Sequence, residues 1–213
     1  MSDDDRQRWD ERYAGGSYRE RSHPSAFLAE WLPTLAPHLG ARRALDVACG
    51  QGRNALHLAA AGLEVDAIDI SAVGLALAAE TAAARGLTVN WIAADLDEAP
   101  LAAGAYGLVL VSRFLARARV ADLARALGPH GVLLYEQHVD SDAEVGGPRS
   151  AAFRLRPNEL LRLFADLHVV HYAEGLVADP DGRDMALARL VATRHPLELR
   201  LPAGLRRGEH PSG

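Results

Sequence analysis

Two glycines follow a short apolar run that contains an acid. Asp46 lies in residues 44–47, and Gly50 and Gly52 come just before a segment with helical periodicity. Glycine lets the backbone approach a ligand closely and adopt positive φ, while the start of a helix turns free N–H groups toward the same place. This order of strand, glycine turn and helix predicts a site for a nucleoside cofactor.

The carboxylate of Asp46 distinguishes between two classes of nucleoside cofactor. A dinucleotide places a pyrophosphate on such a turn, where Asp46 would repel it, although the spacing from Gly50 to Ala55 also fits the dinucleotide pattern. S-adenosylmethionine (SAM) has no phosphate, and it presents an ammonium and a sulfonium group instead. The sequence therefore favours SAM, with S-adenosylhomocysteine as its product, over NAD.

Two further acids end the next two predicted strands. Asp69 lies about 20 residues after the glycines, which is the spacing of a carboxylate that binds ribose hydroxyls. Asp95 is placed to accept a hydrogen bond from the adenine amino group, with Ile70 and Leu96 on either side of the ring. A single aspartate at a strand end often caps a helix instead, but three in register favour a ligand site. The remaining predicted cofactor contacts are Ala48, Cys49, Asn54 and Ser112.

Residues 46–54 resemble the cofactor loop of class I SAM-dependent methyltransferases, in particular the small bacterial group related to tellurite-resistance and thiopurine methyltransferases. The resemblance covers most of the chain, including residues 9–13, 24–28, 65–71, 112–115, 127–134 and 153–164. It implies the sheet order 3-2-1-4-5-7-6 with the last strand antiparallel. The chain has Ala48 where the family usually has glycine, which we expect to be tolerated if φ is negative there, and Gly107 where the family usually has aspartate.

Alternating apolar patterns place these residues on a series of strands and helices. We predict helices over 5–13, 24–36, 53–61, 71–85, 119–127 and one capped by Asn158, and strands over 43–47, 64–68, 88–93, 108–111, 131–137, 168–172 and 185–193. This alternation requires right-handed crossovers and a mostly parallel, doubly wound Rossmann-like α/β sheet. We expect one methyltransferase domain over 1–195, with a helical amino-terminal cover (1–40) and a sheet core (41–195). Residues 139–150 suggest a lid, and 196–213 a flexible tail.

Composition excludes several classes of function. The 213 residues carry a net charge of −5 and contain no lysine, so they have neither a basic nucleic-acid footprint nor the lysine of phosphate-loop hydrolases or kinases. One cysteine, an acidic start and no long apolar run predict a cytoplasmic protein without a signal peptide or membrane segment. No metal spacing is present, and we expect a monomer or a homodimer.

The methyl acceptor, a small molecule, is expected beyond strands four and five. Arg113 is a candidate to attract an anionic acceptor, or is paired with a carboxylate, and His138 is a candidate base, or an ordinary hydrogen-bonded histidine. Methyl transfer from a sulfonium is an in-line displacement, so a dedicated base is not required. Tyr13 and Tyr18 lie beside Gly15 and Gly16, where a segment could close over the cofactor; alternatively, Trp9 and Tyr13 pack on the sheet. An NAD-dependent oxidoreductase and a non-catalytic SAM-binding protein remain alternatives.

Overall fold

The computed structural model describes residues 3–19, 21–180, 182–197 and 202. Its helices are α1 (Asp3–Ala14), α2 (Ala26–Leu35), α3 (Arg53–Ala60), α4 (Ala72–Ala84), α5 (Val120–Ala126) and α6 (Glu159–Leu163). Its strands are β1 (Arg43–Val47), β2 (Glu64–Asp69), β3 (Asn90–Ala93), β4 (Tyr106–Ser112), β5 (Leu127–His138), β6 (His168–Ala178) and β7 (Asp184–Thr193). Short 3-10 turns cover Ala36–His38, Arg117–Arg119 and Ala151–Phe153.

The seven strands form one sheet in the order β3-β2-β1-β4-β5-β7-β6. Strands β1 to β5 are parallel to one another, whereas β7 is antiparallel to both β5 and β6. The predicted order and the antiparallel last strand are therefore confirmed. The order reverses between β1 and β4, so their carboxyl ends, near Val47 and Val111, border the crevice where doubly wound sheets bind ligands.

Apolar side chains bury the sheet on both faces. In β4, Leu108 and Leu110 belong to the core that includes α2 and α3, whereas Val109 and Val111 belong to the core that includes α5 and α6. All four are fully buried, as predicted for a central strand. Residues of α2 and α3 cover the first face, and Leu123 and residues of α6 cover the second. The helices thereby fix the ends of β1 and β4 at a common edge.

Gly107 is required by a close backbone contact rather than by the cofactor. A Cβ at this position would lie 1.9 Å from the carbonyl oxygen of Ala41. Gly107 therefore lets the segment before β1 cross the start of β4, and an aspartate does not fit in this arrangement. Because β4 runs toward Ser112, Gly107 lies at the end of the sheet opposite the glycine turn.

Strand pairing extends two strands beyond their predicted ends. Strand β5 begins at Leu127, which pairs with Tyr106, instead of at residue 131. Strand β6 continues to Ala178 because it stays paired with β7 as far as Asp184. Asn158 is the N-cap residue of α6, as predicted, but it has φ +58° and its side chain makes no capping hydrogen bond.

The segment predicted as a lid is bound at both ends to β7. The N–H of Val139 donates to the carbonyl of Ala186 at 3.1 Å, and the N–H of Gly146 donates to the carbonyl of Asp184 at 2.9 Å. Its role as a lid and the division at residue 195 stay predictions, and residues 198–201 and 203–213 of the expected tail lie outside the described residues. No helix in the described part of the chain has the length and apolar character needed to cross a membrane.

Candidate cofactor and acceptor site

The glycine turn between β1 and α3 adopts backbone angles that favour glycine. Gly50 has φ +57° and Gly52 has φ +73°. A Cβ on Gly50 would lie 2.5 Å from the hydroxyl oxygen of Tyr13, and one on Gly52 would lie 2.6 Å from the indole ring of Trp91. Both predicted glycines are thus needed for conformation and for space, and they bring bare backbone to the edge of the sheet.

Ala48 also has a positive φ, of 55°. The negative φ on which we made tolerance of alanine conditional is therefore absent. A left-handed conformation costs a residue with a Cβ about 1–2 kcal/mol. The family's glycine would relieve this strain, and alanine is tolerated because its side chain is the smallest that carries a Cβ.

Asp46 is a buried carboxylate with an unsatisfied oxygen. The side chain lies near the end of β1 and is 1% exposed, and its Oδ2 has no hydrogen-bond partner among the described residues. Burial raises the pKa of Asp46 to about 7, although a backbone hydrogen bond from Ala55 and the charge of Arg53 act in the opposite direction. A buried acceptor without a donor is costly. A cationic ligand group in the crevice would supply the missing donor and charge, so Asp46 fits the ammonium group of SAM.

Asp69 holds the glycine turn in place. Its Oδ2 accepts a hydrogen bond from the N–H of Gly50 at 2.7 Å, and its Oδ1 accepts one from the N–H of Ser71 at 2.9 Å. Burial raises the pKa of this carboxyl group. Each carboxylate oxygen can accept a further hydrogen bond. Ribose binding by Asp69 stays a prediction, and its contact with Gly50 is a second role that sequence reasoning missed.

The residues predicted to hold adenine lie at the ends of β2 and β3. Ile70 and Leu96 are both buried, at 4% and 2% exposure. The Oδ1 of Asp95 accepts a hydrogen bond from the N–H of Asp97 at 2.8 Å. These positions agree with an adenine site at this edge, and the contacts with adenine stay predictions.

Three other predicted cofactor residues have distinct surroundings. Cys49 is buried, and burial raises the pKa of its thiol well above the ordinary value. The Oδ1 of Asn54 accepts a hydrogen bond from the N–H of Ser25 at 2.8 Å, so Asn54 anchors the start of α2. Ser112 ends β4, and its buried Oγ has no partner among the described residues. Among the described residues, Ser112 is therefore the one of the three whose side chain has a buried polar atom without a partner.

Known proteins with similar sequences agree with a SAM site in this crevice. Residues 44–131 match the family described as "Methyltransferase domain". Hemagglutinin 1 of Eikenella corrodens is 30% identical over 171 residues, which cover 75% of this chain and 55% of that protein. The probable S-adenosyl-L-methionine-dependent methyltransferase TehB of Haemophilus influenzae is 28% identical over 140 residues, which cover 63% of this chain and 49% of that protein. These similarities support a class I SAM-dependent methyltransferase. The chain spans about half the length of these curated relatives.

Solved methyltransferase structures share the fold. The crystal structure of TehB from Haemophilus influenzae has a TM-score of 0.63 and 22% identity, over 75% of this chain and 60% of that chain. A structure from work on the conversion of a disulfide bond into a thioacetal group during echinomycin biosynthesis has a TM-score of 0.64 and 22% identity, over 81% and 82% of the two chains. The family identifies SAM as the cofactor, as the sequence predicted.

The amino-terminal segment packs directly on the glycine turn. The Oδ1 of Asp10 accepts hydrogen bonds from the hydroxyl of Ser71 at 2.5 Å and from the N–H of Val73 at 3.3 Å, which fixes α1 at the start of α4. Tyr13 is 7% exposed, and its ring stacks with that of Trp9 at 5.8 Å. The aromatic side chains pack on one another and Tyr13 lies against Gly50, and closure of this segment over the cofactor stays a prediction.

A network of charges lies at the ends of β4 and β5, where the sequence predicts the acceptor. Glu136 is 1% exposed, and its two oxygens accept hydrogen bonds from Nε of Arg113 at 3.0 Å and Nε of Arg189 at 2.8 Å. Arg113 also lies 3.8 Å from Asp179, which lies 3.8 Å from Arg21. The carboxylate pairing that we considered as the alternative for Arg113 is thus present, and acceptor binding by Arg113 stays a prediction.

Sequence reasoning missed the centre of this network. Glu136 faces Arg189 directly across the antiparallel β5 and β7. The available signal was a charged residue in the middle of each of two apolar strands, since buried charges in strands are nearly always paired.

His138 ends β5 and is 8% exposed. Burial and the nearby positive charges of Arg113 and Arg154 lower the pKa of His138 to about 4, so its imidazole is neutral at physiological pH. A Cβ on Gly147 would lie 2.5 Å from the ring, which shows how closely the following segment covers it. A neutral imidazole of such low pKa is a weak base, and the proposed catalytic role of His138 stays a prediction.

Proposed function

We propose that the protein transfers the methyl group of SAM to a small-molecule acceptor by direct in-line displacement. The observation that carries this proposal is the buried carboxylate of Asp46, whose Oδ2 has no partner among the described residues, beside a glycine turn of positive φ. That arrangement suits a cationic nucleoside and opposes a pyrophosphate. The match of residues 44–131 to the methyltransferase domain family supports the same conclusion.

The chain's residues serve this reaction by binding and positioning. Bound SAM would supply a methyl carbon activated by its sulfonium, so that the acceptor's electron pair would bond to this carbon as the carbon–sulfur pair is left on sulfur. Asp46 offers its unpaired oxygen to the ammonium group, and Asp69 holds the N–H of Gly50 so that the turn keeps its shape. Tyr13 packs over the turn and limits access of water.

The proposed acceptor position lies beyond β4 and β5, between the crevice and the loops that follow these strands. Ser112 has a free hydroxyl there, and neutral His138 can accept a hydrogen bond from an acceptor hydroxyl or thiol. Because the leaving group is already activated, orientation contributes more than proton removal. The acceptor's proton therefore passes to solvent or to His138.

A binding and turnover experiment tests this function. Calorimetry with SAM, S-adenosylhomocysteine and NAD is expected to show binding of the first two, and binding of NAD alone would overturn the proposal in favour of an oxidoreductase. Single-turnover assays with methyl-labelled SAM against mixed thiols, phenols and chalcogen oxyanions are expected to transfer label to at least one class. Tight SAM binding with no transfer to any class would instead indicate a non-catalytic SAM-binding protein.

We also propose that this methyltransferase works as a cytoplasmic protein on a free small molecule. A single cysteine cannot form an internal disulfide, which is typical of reducing compartments. The net charge of −5 opposes a nucleic-acid acceptor. Cell fractionation and labelling of total nucleic acid with methyl-labelled SAM test the two points separately.

A further inference from the structure

A second cavity lies beyond the carboxyl ends of β4 and β5, away from the glycine turn. It has a volume of about 680 Å³. Four arginines, two acids and three apolar residues line it: Arg117, Arg154, Arg156, Arg162, Asp140, Glu159, Ala151, Ala152 and Leu155. This volume lies within the range of about 300–1,000 Å³ typical of small-molecule sites.

The carboxylate of Glu159 is already fully engaged. It accepts hydrogen bonds from Nε and Nη2 of Arg117 and from the N–H of Arg156 at 2.7 Å. The hydrogen bond from Arg117 lowers the pKa of Glu159 to about 2, so this pair stays ionised and neutralises itself. Glu159 therefore has little capacity left to balance other arginines of the cavity.

Three arginines of the cavity remain: Arg154 has a weak ion-pair partner, and Arg156 and Arg162 have none among the described residues. Arg154 lies 3.9 Å from Asp140, its weak ion-pair partner. Neither Arg156 nor Arg162 has a carboxylate within ion-pair distance in residues 3–19, 21–180 and 182–197, and Arg162 donates only to the carbonyl of Pro157. With two carboxylates for four guanidinium groups, the cavity has an excess of two positive charges. Guanidinium groups bind carboxylates and phosphates in a bidentate manner.

The cavity wall is continuous with the end of β5. The N–H of Leu155 donates to the carbonyl of His138, and the N–H of Asp140 donates to the carbonyl of Leu155, both at 2.8 Å. Arg117, five residues after Ser112 at the end of β4, donates from Nη2 to the carbonyl of Arg154 at 2.8 Å. The cavity thus joins the two strand ends that border the proposed acceptor position.

We propose that this cavity binds the anionic group of the methyl acceptor, and that the acceptor is an organic carboxylate or phosphate ester. The inference rests on the proposed function and adds the chemical class of its substrate. Arg156 and Arg162 pair with the anionic group, while Ala151 and Ala152 contact the apolar body. The volume exceeds what an inorganic oxyanion fills, which favours an organic molecule.

Titration of the arginine side chains tests the site directly. The probes are benzoate, phenyl phosphate, inorganic phosphate and the neutral benzamide, added to protein saturated with S-adenosylhomocysteine while the Nε–H signals of Arg156 and Arg162 are followed by NMR. We expect benzoate or phenyl phosphate to saturate these signals below about 10 mM, and benzamide and inorganic phosphate to bind at least tenfold more weakly. The tighter of the two organic anions identifies the acid group.

Matched variants separate the cavity from general charge effects. Arg156→Gln combined with Arg162→Gln is expected to weaken the anion at least tenfold, whereas Arg85→Gln, at the exposed end of α4, leaves it unchanged. The inference is overturned if neither organic anion binds, or if benzamide or inorganic phosphate binds as tightly as the organic anions. It is also overturned if the double variant binds the anions as tightly as the unmodified protein.

The cofactor is measured in the same samples. We expect S-adenosylhomocysteine to bind the double variant with unchanged affinity, because the cavity does not include the glycine turn. If S-adenosylhomocysteine binds and the anions do not, only the substrate class is refuted. If S-adenosylhomocysteine fails to bind the unmodified protein, the proposed function is refuted, whatever the anions do.

Discussion

Replacement of Asp46 by asparagine is expected to stabilise the free protein and to weaken cofactor binding. The change removes a negative charge that the fold buries without a full set of partners. Burial raises the pKa of Asp46 from 3.8 to about 7, so between these pH values the folded protein binds more protons than the unfolded chain. Stability therefore falls as pH rises through this window.

The size of the effect follows from the shift in pKa. About three pKa units correspond to about 4 kcal/mol, so wild-type protein loses stability of this order between pH 4 and pH 8 through Asp46. Asp46→Asn is expected to remove that part of the pH dependence. The exposed Asp166→Asn is the control, since its side chain is not buried and its loss leaves the profile unchanged.

Cofactor binding is expected to change in the opposite direction. The ammonium group pairs with ionised Asp46, so wild-type affinity for S-adenosylhomocysteine should be about tenfold lower at pH 6 than at pH 8. At pH 8 the variant loses a charged hydrogen bond of about 1.5–3 kcal/mol, or about ten- to a hundredfold in affinity.

Urea unfolding and calorimetry at pH 6 and pH 8 check both effects. A variant that binds S-adenosylhomocysteine as tightly as wild type at pH 8 would refute the role of Asp46. A variant with the wild-type pH profile of stability would refute the argument from burial.

Three further substitutions test particular contacts by urea unfolding. The pKa of His138 is about 4 in the folded state, so at pH 4 to 6.5 the folded protein binds fewer protons than the unfolded chain. The contribution of His138 to stability is therefore complete above pH 6.5 and falls by about 3 kcal/mol as the pH drops to 4. His138→Gln should abolish this decline, and an unchanged profile would contradict the argument. Gly107→Ala should destabilise the protein by about 3 kcal/mol or more, because the new Cβ meets the carbonyl of Ala41. The control Gly175→Ala should cost less than about 1 kcal/mol, since the space around Gly175 is open. Equal costs of the two substitutions would contradict the contact with Ala41. Ala48→Gly should stabilise the protein by about 0.5–1 kcal/mol through relief of a positive φ, and a loss of stability would show that the strain is absent.

The strands and the glycine turn were predicted from local patterns, whereas the sheet order was predicted only from the resemblance to the methyltransferase family. Alternation of apolar runs located the strands, and the positive φ expected at a glycine turn is present at Gly50 and Gly52. The contact between Asp69 and the N–H of Gly50 was not predictable in this way, because a carboxylate near a strand end can face a ligand or the backbone. Asn54 illustrates the same limit, since its partner Ser25 lies 29 residues away.

The charged contacts on the acceptor side depend on tertiary structure that the sequence does not encode locally. Glu136 meets Arg189 only because β7 pairs with β5 in one register. The positive φ of Ala48 and of Asn158 was not predicted, because the sequence around either residue is equally compatible with a negative φ. The proposed acceptor cavity was likewise hidden, since Arg117 meets Arg154, Arg156 and Arg162 only through tertiary structure.

The position of β7 between β5 and β6 has a consequence for synthesis of the chain. As the polypeptide emerges from the ribosome, β5 exposes an unpaired edge until Asp184–Thr193 follows, more than forty residues after His138. Unpaired edges of apolar strands are sites of misassociation. Truncated translation products that end before Asp184 should therefore aggregate, and the nascent protein depends on the speed with which its final strand is added.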